Sequence, residues 1–395
     1  CQKMLFDDMF TIDEQVQNND NIVSLSSKIV SRFRNYSLEY YIDDVETNGL
    51  EHTWLYICNY ILTYGENNGF LTVKNFSEMY EIGLAIQDKQ QKKKKGQYYT
   101  PDDVAIVMSE WFDSLEGQNI CDVGCGTGKL ILTYLDYIGK ERALQLLSEG
   151  IIYLYDVDTV ALKICKTAIL LKYGKELEDR IHVVAGDFMS SRIKLPENCK
   201  VISNPPYAAI QQIGLNWSNT KVLRESRELY SVFMEKIIQD SLSSVIITPY
   251  SFISGSKFYS LRTILNQYNG EIYSFDNVPG NIFNGKKHGI FNTNTSNSVR
   301  AAITVVRKNN SDGFRLTPLI RFKSSERKAL LQCKTLESFL SPKRQKITSD
   351  KPMYYKCFKE LQPLYDCVIE KAGYHILAEL VSKNGEYRVI NRIGK

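Results

Sequence analysis

Asn204 and Tyr207 flank two prolines, Pro205 and Pro206, directly after the short run Lys200-Val201-Ile202 and Ser203. The prolines stop a central strand and fix the backbone of their neighbours. What they hold is an amide oxygen and a phenol ring. The chemistry suited to that pair is a grip on a planar amino-bearing group, with oxygen acceptors for its N–H bonds and a ring against its face. Such a tetrapeptide also occurs as a plain proline turn, so its meaning depends on its company.

That company is a series of sites where strand patterns end. Asp122 and Val123 close a short apolar run and lead into Gly124-Cys125-Gly126-Thr127-Gly128, where glycines let backbone approach a ligand closely. This is not a phosphate-binding P-loop, because Val123 stands at the first required glycine and Leu130 replaces the hydroxyl residue after Lys129. Asp156 ends the run Ile151 to Tyr155, and Asp187 with Phe188 follows His182 to Ala185 and Gly186. A carboxylate at a strand end can accept both hydroxyls of a ribose, and an acid beside a ring suits an adenine. Asp158 reads as a helix N-cap, and Cys121 and Cys125 as small packing residues. Upstream, Gly96-Gln97-Tyr98-Tyr99-Thr100-Pro101 leads into an amphipathic helix over Val104 to Phe112, with Thr100 expected as N-cap and Pro101 at the first helical position.

The elements that must position these residues alternate between strand and helix patterns. Further strands are expected at Val245 to Thr248, Glu271 to Val278 and Arg300 to Val306, with a helix around Tyr230 to Ile238. The alternation predicts an α/β fold with a doubly wound, mostly parallel sheet that binds ligands at the carboxyl ends of its strands. Three regions are expected: a helical N-terminal domain over 1–90, the catalytic domain over 91–307, and a basic C-terminal segment over 308–395. The net charge of +4 is small but unevenly spread, with acidic residues early and a basic stretch from Arg307 to Lys346. A polyanion, if bound, is expected against that later stretch.

No run approaches the roughly 20 apolar residues of a membrane span, and no signal peptide is recognisable. The nine cysteines are odd in number and scattered, and the four histidines form no ligand spacing. Reduced thiols, a cytoplasmic location and no metal are the expectation.

Acceptors for an adenosine without a phosphate clamp suggest S-adenosyl-L-methionine rather than NAD. At this point the chain resembles the adenine-N6 DNA methyltransferases, in the class whose cofactor motifs precede the catalytic motif and whose target-recognition domain comes last. The resemblance rests on the ordered set of the Gly96 to Pro101 hexapeptide, Asp122 to Gly128, Tyr155 to Asp158, Gly186 to Phe188, Asn204 to Tyr207 and Ile282 to Lys287. It implies a Rossmann-like methyltransferase sheet and a target base flipped out of double-stranded DNA. Tyr99, Thr100 and Pro101 would line the methionine end of the cofactor, with Asp122, Gly124 and Gly126 beneath it, Asp156 on the ribose, and Asp187 and Phe188 on the adenine. Asn204 and the Pro205 carbonyl would hold the target amino group. Tyr207 and Phe283 would stack on the target base, the phenol hydroxyl of Tyr207 being dispensable. Residues 308–395 would open a DNA target-recognition domain, and a specificity or restriction subunit is a possible partner. Protein glutamine and RNA guanine amino-methyltransferases share this core, and a catalytically silent DNA-binding scaffold is the alternative of another class. The absence of a Pro-Cys dipeptide argues against transfer to cytosine carbon by a thiolate.

Overall fold

The computed structural model describes residues 100–283 and 299–367, apart from 215, 350, 356, 357 and 365. The expected N-terminal helical domain, Tyr99, the loop after Phe283 and residues 368–395 lie outside them. Among the described residues the strands are β1 Asn119–Val123, β2 Ile152–Asp156, β3 Ile181–Ala185, β4 Cys199–Ser203, β5 Ser243–Pro249, β6 Asn269–Phe275, β7 Ala301–Arg307 and β8 Gly313–Ile320. They form one sheet in the order β3-β2-β1-β4-β5-β7-β6-β8. All neighbours run parallel except β7, which is antiparallel to both β5 and β6.

The central strands are apolar runs because both sheet faces are covered. Every residue of β4 and of β6 is buried. The helices are α1 Asp102–Asp113, α2 Lys129–Tyr137, α3 Lys140–Ser148, α4 Thr159–Tyr173, α5 Lys221–Ser226, α6 Leu229–Asp240, α7 Tyr259–Leu265, α8 Arg327–Leu330 and α9 Cys333–Ser338. One core includes Met108, Phe112, Tyr134 and Leu135 from α1 and α2, and the other includes Phe233, Met234, Ile237 and Leu261 from α6 and α7. Lys200 is a charged exception inside β4. Its Nζ donates to the Phe112 and Leu115 carbonyls at 3.1 and 3.4 Å, tying the end of α1 to this strand, and burial lowers its pKa to about 8.

The order makes a crevice. From β1 the chain moves outward through β2 and β3, then returns to place β4 on the other side of β1, and ligands bind where the winding reverses. Register makes the crevice exact to the residue: Val123 is paired with Ser203, so Gly124 and Asn204 leave the sheet side by side. The Ser203 hydroxyl donates to the Val123 carbonyl at 2.6 Å and locks the two exits together.

Past residue 307 the sheet continues into β8, a strand the sequence pattern does not announce. Its alternation is interrupted by Pro318, and the pairing with β6 shifts register between Ile272 and Ser274, which is how an edge strand accommodates proline. The basic stretch is also largely spoken for. Arg307, Arg315 and Arg344 surround the buried Glu271, and Arg344 Nη1 also donates to the Gly270 and Gly313 carbonyls. Burial alone would raise the pKa of Glu271, but the bonded Arg307 and Arg315 guanidiniums bring it below the usual range. Lys343 pairs with Asp366. These four cations brace the sheet edge, so they are engaged with carboxylates of the chain itself. No helix among the described residues is long and apolar enough to cross a membrane.

Candidate active site

A cavity of about 660 Å³ opens at the crevice, within the usual range for small-ligand sites. Its glycine loop is built by backbone necessity. Gly126 has φ +52 with no atom within 4 Å of where a Cβ would stand, so it faces open space, whereas a Cβ on Gly128 (φ +92) would lie 2.4 Å from the Cys165 sulfur. Gly126 therefore serves the cavity, and Gly128 serves packing of α2 on α4.

Asp156, at the end of β2, accepts from the Gly126 amide through Oδ2 at 2.7 Å and from the Asp158 amide through Oδ1 at 2.9 Å. Burial raises its pKa, with the backbone donors opposing. It lines the cavity and fixes its floor at once. Asp158 accepts from the Ala161 amide at 3.1 Å, the N-cap contact expected for α4. Asp187 accepts from the Met189 amide through Oδ1 at 3.0 Å, and its Oδ2 accepts from the Trp217 indole. Phe188 lines the cavity with its ring between Tyr155 and Phe233, at centroid distances of 5.9 and 5.1 Å. Lys236 of α6 braces this loop by donating to the Phe188, Ser190 and Ile193 carbonyls.

Asn204 and Pro205 form the opposite lip. The Asn204 Nδ2 donates to the Thr100 hydroxyl at 3.0 Å, and its Oδ1 lies 2.7 Å from the Tyr207 hydroxyl, which is also 3.0 Å from the Ile247 carbonyl. The amide is thus oriented from both ends. Thr100 is free for this because α1 starts later than its sequence suggests: Pro101, with ψ 154, is the extended cap residue, and its carbonyl accepts the Ala105 amide at 2.9 Å. The expected N-cap role of Thr100 and helical role of Pro101 are corrected accordingly.

Four other expected positions, Pro101, Asp122, Tyr207 and Phe283, are not among its lining residues. Asp122 is wholly buried behind the glycine loop, where Oδ2 accepts from the Ile131 amide at 3.1 Å and Oδ1 has no partner among the described residues, and burial raises its pKa to about 8. Phe283 is 3% exposed and meets Tyr207 edge-on, with centroids 6.0 Å apart and planes at 62°. Those rings are not parallel walls, so a base sandwiched between them requires one ring to turn. Cys121 and Cys125 are buried, and burial holds both thiols well above their ordinary pKa.

Trp217 and Lys236 were not legible as site residues. Trp217 belongs to the polar insertion after Tyr207 and reaches the cavity through an isolated bridge to Ser190. An unaccompanied tryptophan in a polar stretch is the only signal the sequence offers for it. Among the cavity's charged residues, Asp156, Asp158 and Asp187 face one cation, Lys129, which is itself paired with Asp102. A wall of that sign disfavours a phosphorylated ligand and fits one that is cationic and bears hydroxyls.

The N-6 DNA methylase family matches residues 72–313, more than half of the chain. Over 130 residues the chain is 28% identical to the rRNA N(6)-adenosine-methyltransferase metl-5 of Caenorhabditis elegans, covering 32% of this chain and 55% of that protein. Over 220 residues it is 23% identical to the type I restriction enzyme EcoEI methylase subunit of Escherichia coli, covering 53% of this chain and 43% of that subunit. The chain spans about half the length of these curated relatives. In fold it is similar to the solved DrdV-DNA complex, with a TM-score of 0.52 and 16% identity over 89% of this chain and 40% of that one.

Proposed function

This chain belongs to the N-6 DNA methylase family, and we propose that it transfers a methyl group from S-adenosyl-L-methionine to the N6 amino nitrogen of a flipped adenine in double-stranded DNA. The observation that carries this reading is the shared wall: Asn204 and Pro205 line the same cavity as the glycine loop, Asp156 and Asp187. An amino-group grip and an adenosine site therefore adjoin without an intervening element.

When bound, the cofactor supplies an electrophilic sulfonium methyl. The residues of the chain do the rest by placement. Asp156 offers its remaining lone pairs to the ribose hydroxyls, and Asp187 with Phe188 receives the adenine of the cofactor. Thr100, Gly124 and Gly126 border the methionine end. The Asn204 Oδ1 and the Pro205 carbonyl accept the two N–H bonds of the target amino group. An adenine amino nitrogen is a poor nucleophile because its lone pair is delocalised into the ring. Two acceptors out of the ring plane draw it toward a pyramidal geometry with the lone pair facing the methyl. No covalent intermediate with the chain is required: the N–C bond would form as the S–C bond breaks, and the amino nitrogen would then release one proton to solvent. The reading also supports, on the model of the EcoEI subunit, a modification role within a restriction-modification assembly that includes a specificity or restriction subunit.

The direct test is transfer of labelled methyl groups to duplex DNA by the purified chain, followed by mapping of the modified base. N6-methyladenine in DNA is the expected product. Label appearing only in RNA, or only on glutamine side chains of protein, would overturn the substrate.

Tyr207 acquires a second duty. Its ring was expected to be the part that matters, but its hydroxyl lies 2.7 Å from the oxygen that would grip the substrate. With the Thr100 contact at the other end, it selects which way the Asn204 amide points. Tyr207→Phe is therefore expected to lower kcat roughly fivefold to tenfold, the equivalent of about one hydrogen bond, with cofactor affinity unchanged in calorimetry. An unaltered kcat would assign the hydroxyl to the Ile247 carbonyl alone.

A further inference from the structure

Two clusters of arginine on a buried carboxylate occupy opposite ends of the sheet, and they are built differently. At the amino end of β6, Glu271 is bonded by Arg307 through Nη1 and by Arg315 through Nη2, and Arg344 turns both terminal nitrogens inward. Those side chains are 30, 38 and 32% exposed. At the carboxyl end, directly after β6, Asp276 is bonded by Arg300 and Arg321, and both use Nε, at 2.8 and 2.6 Å. The carboxylate is 2% exposed, while Arg300 is 50% and Arg321 68% exposed.

Bonding through Nε has a consequence. It fixes each guanidinium by its inner edge and leaves the outer pair of nitrogens, the fork that matches an anion in bidentate fashion. No partner for those outer nitrogens stands among the described residues. The anchoring backbone is rigid: the Asp276 amide donates to the Ile320 carbonyl at 2.8 Å, and the Tyr250 amide donates to the Arg300 carbonyl at 2.9 Å. One buried negative charge against two half-exposed positive ones leaves a net positive site. It lies on the same edge of the sheet as Asn204, because β4, β6 and β8 end there and β7 begins there. With strands about 4.8 Å apart, the ends of β7 and β8 are about 10–20 Å from that of β4, a span of a few nucleotides.

We propose that Arg300 and Arg321, gathered on Asp276, form a phosphodiester clamp for the nucleic-acid strand that carries the target base. The clamp rests on the reading of the chain as a nucleic-acid methyltransferase and adds to it where the strand is held. It binds backbone and not bases, so it positions without reading sequence. Within the basic stretch from Arg307 to Lys346 it puts the electrostatic contact at Arg321, on the side of the sheet that holds the chemistry, and not at Lys343 and Arg344, whose charges face Asp366 and the sheet.

The test is equilibrium binding of a short DNA duplex to the full chain over a series of salt concentrations, with methylation of the same duplex measured in parallel. Arg321→Gln leaves Asp276 paired with Arg300 and is expected to fold. It should reduce the slope of log Kobs against log salt by about 0.9, which corresponds to roughly tenfold weaker binding near 0.1 M salt. Arg321→Lys keeps the charge and the pair with Asp276 but has no outer fork, and it should also weaken binding. Arg307→Gln, in the opposite cluster, should leave the slope unchanged. Melting temperature and cofactor affinity report whether each variant is folded. Folded Arg321→Gln and Arg321→Lys proteins with wild-type slope and affinity would overturn the clamp, and would turn these guanidiniums toward a carboxylate of another protein. In that case continued methylation by the wild type leaves the proposed function standing, whereas a wild-type chain that neither binds nor methylates DNA removes both.

Discussion

Asn204→Ala is expected to reduce methyl transfer by at least about 10²–10³-fold, the size of effect seen when one preorganised polar group facing the reacting centre is lost. The side chain is held by the Thr100 hydroxyl at one end and the Tyr207 hydroxyl at the other, so its oxygen needs no reorganisation when the amino group arrives. Cofactor affinity should change by no more than a few-fold. Asn204 forms only the lip of the cavity, while Asp156 and the glycine loop form its floor. The loss should therefore appear in kcat and kcat/KM together, the pattern of an interaction made in the transition state. Asn204→Asp retains an oxygen on each side and should be milder, since the Thr100 hydroxyl can donate to it. Single-turnover rates and calorimetry on both variants separate the effects. Near-normal turnover by Asn204→Ala would reduce the tetrapeptide to a structural turn.

The strand ends were the legible part of this chain. Asp156 and Asn204 each follow a short apolar run, the pattern of strands in a parallel sheet buried on both faces, and Asp187 follows the edge strand β3, three of whose five residues are exposed. Their convergence was legible too, because ligands in such sheets collect where the winding reverses. What failed to show was whatever depended on which partner a side chain chooses. Thr100 before Pro101 is a good N-cap by local preference, yet its hydroxyl is 3.0 Å from an amide 104 positions later. Tyr207 was read as a ring, and only the fold places its hydroxyl on Asn204. Phe283 was assigned to stacking by the family resemblance, but it is buried against Tyr207. The arginines after residue 306 were counted as free charge. A count cannot register that Glu271 and Asp276 lie beneath four of them, Arg307, Arg315, Arg321 and Arg344. β8 stayed hidden because Pro318 breaks the alternation that would mark it.

Asp156→Ala is expected to weaken S-adenosyl-L-methionine binding by about 10²–10³-fold. Two losses combine. In the proposed function the carboxylate would give acceptors to the ribose hydroxyls, and hydrogen bonds to a charged group contribute about 1.5–3 kcal/mol each. It also holds the Gly126 and Asp158 amides at 2.7 and 2.9 Å, so without it the glycine loop loses the contact that sets its height over the cavity. Asp156→Asn separates these contributions. Its single amide oxygen can keep one backbone donor, but its NH2 cannot accept from a hydroxyl, and an intermediate loss of roughly tenfold to 10²-fold is expected. A cofactor analogue lacking both ribose hydroxyls makes the assignment specific through a double-mutant cycle. Wild type should discriminate strongly against that analogue, and Asp156→Ala should scarcely distinguish it from the parent. Equal discrimination by the two proteins would mean that Asp156 acts only by bracing the loop, and that the ribose is held by another group on the cavity wall.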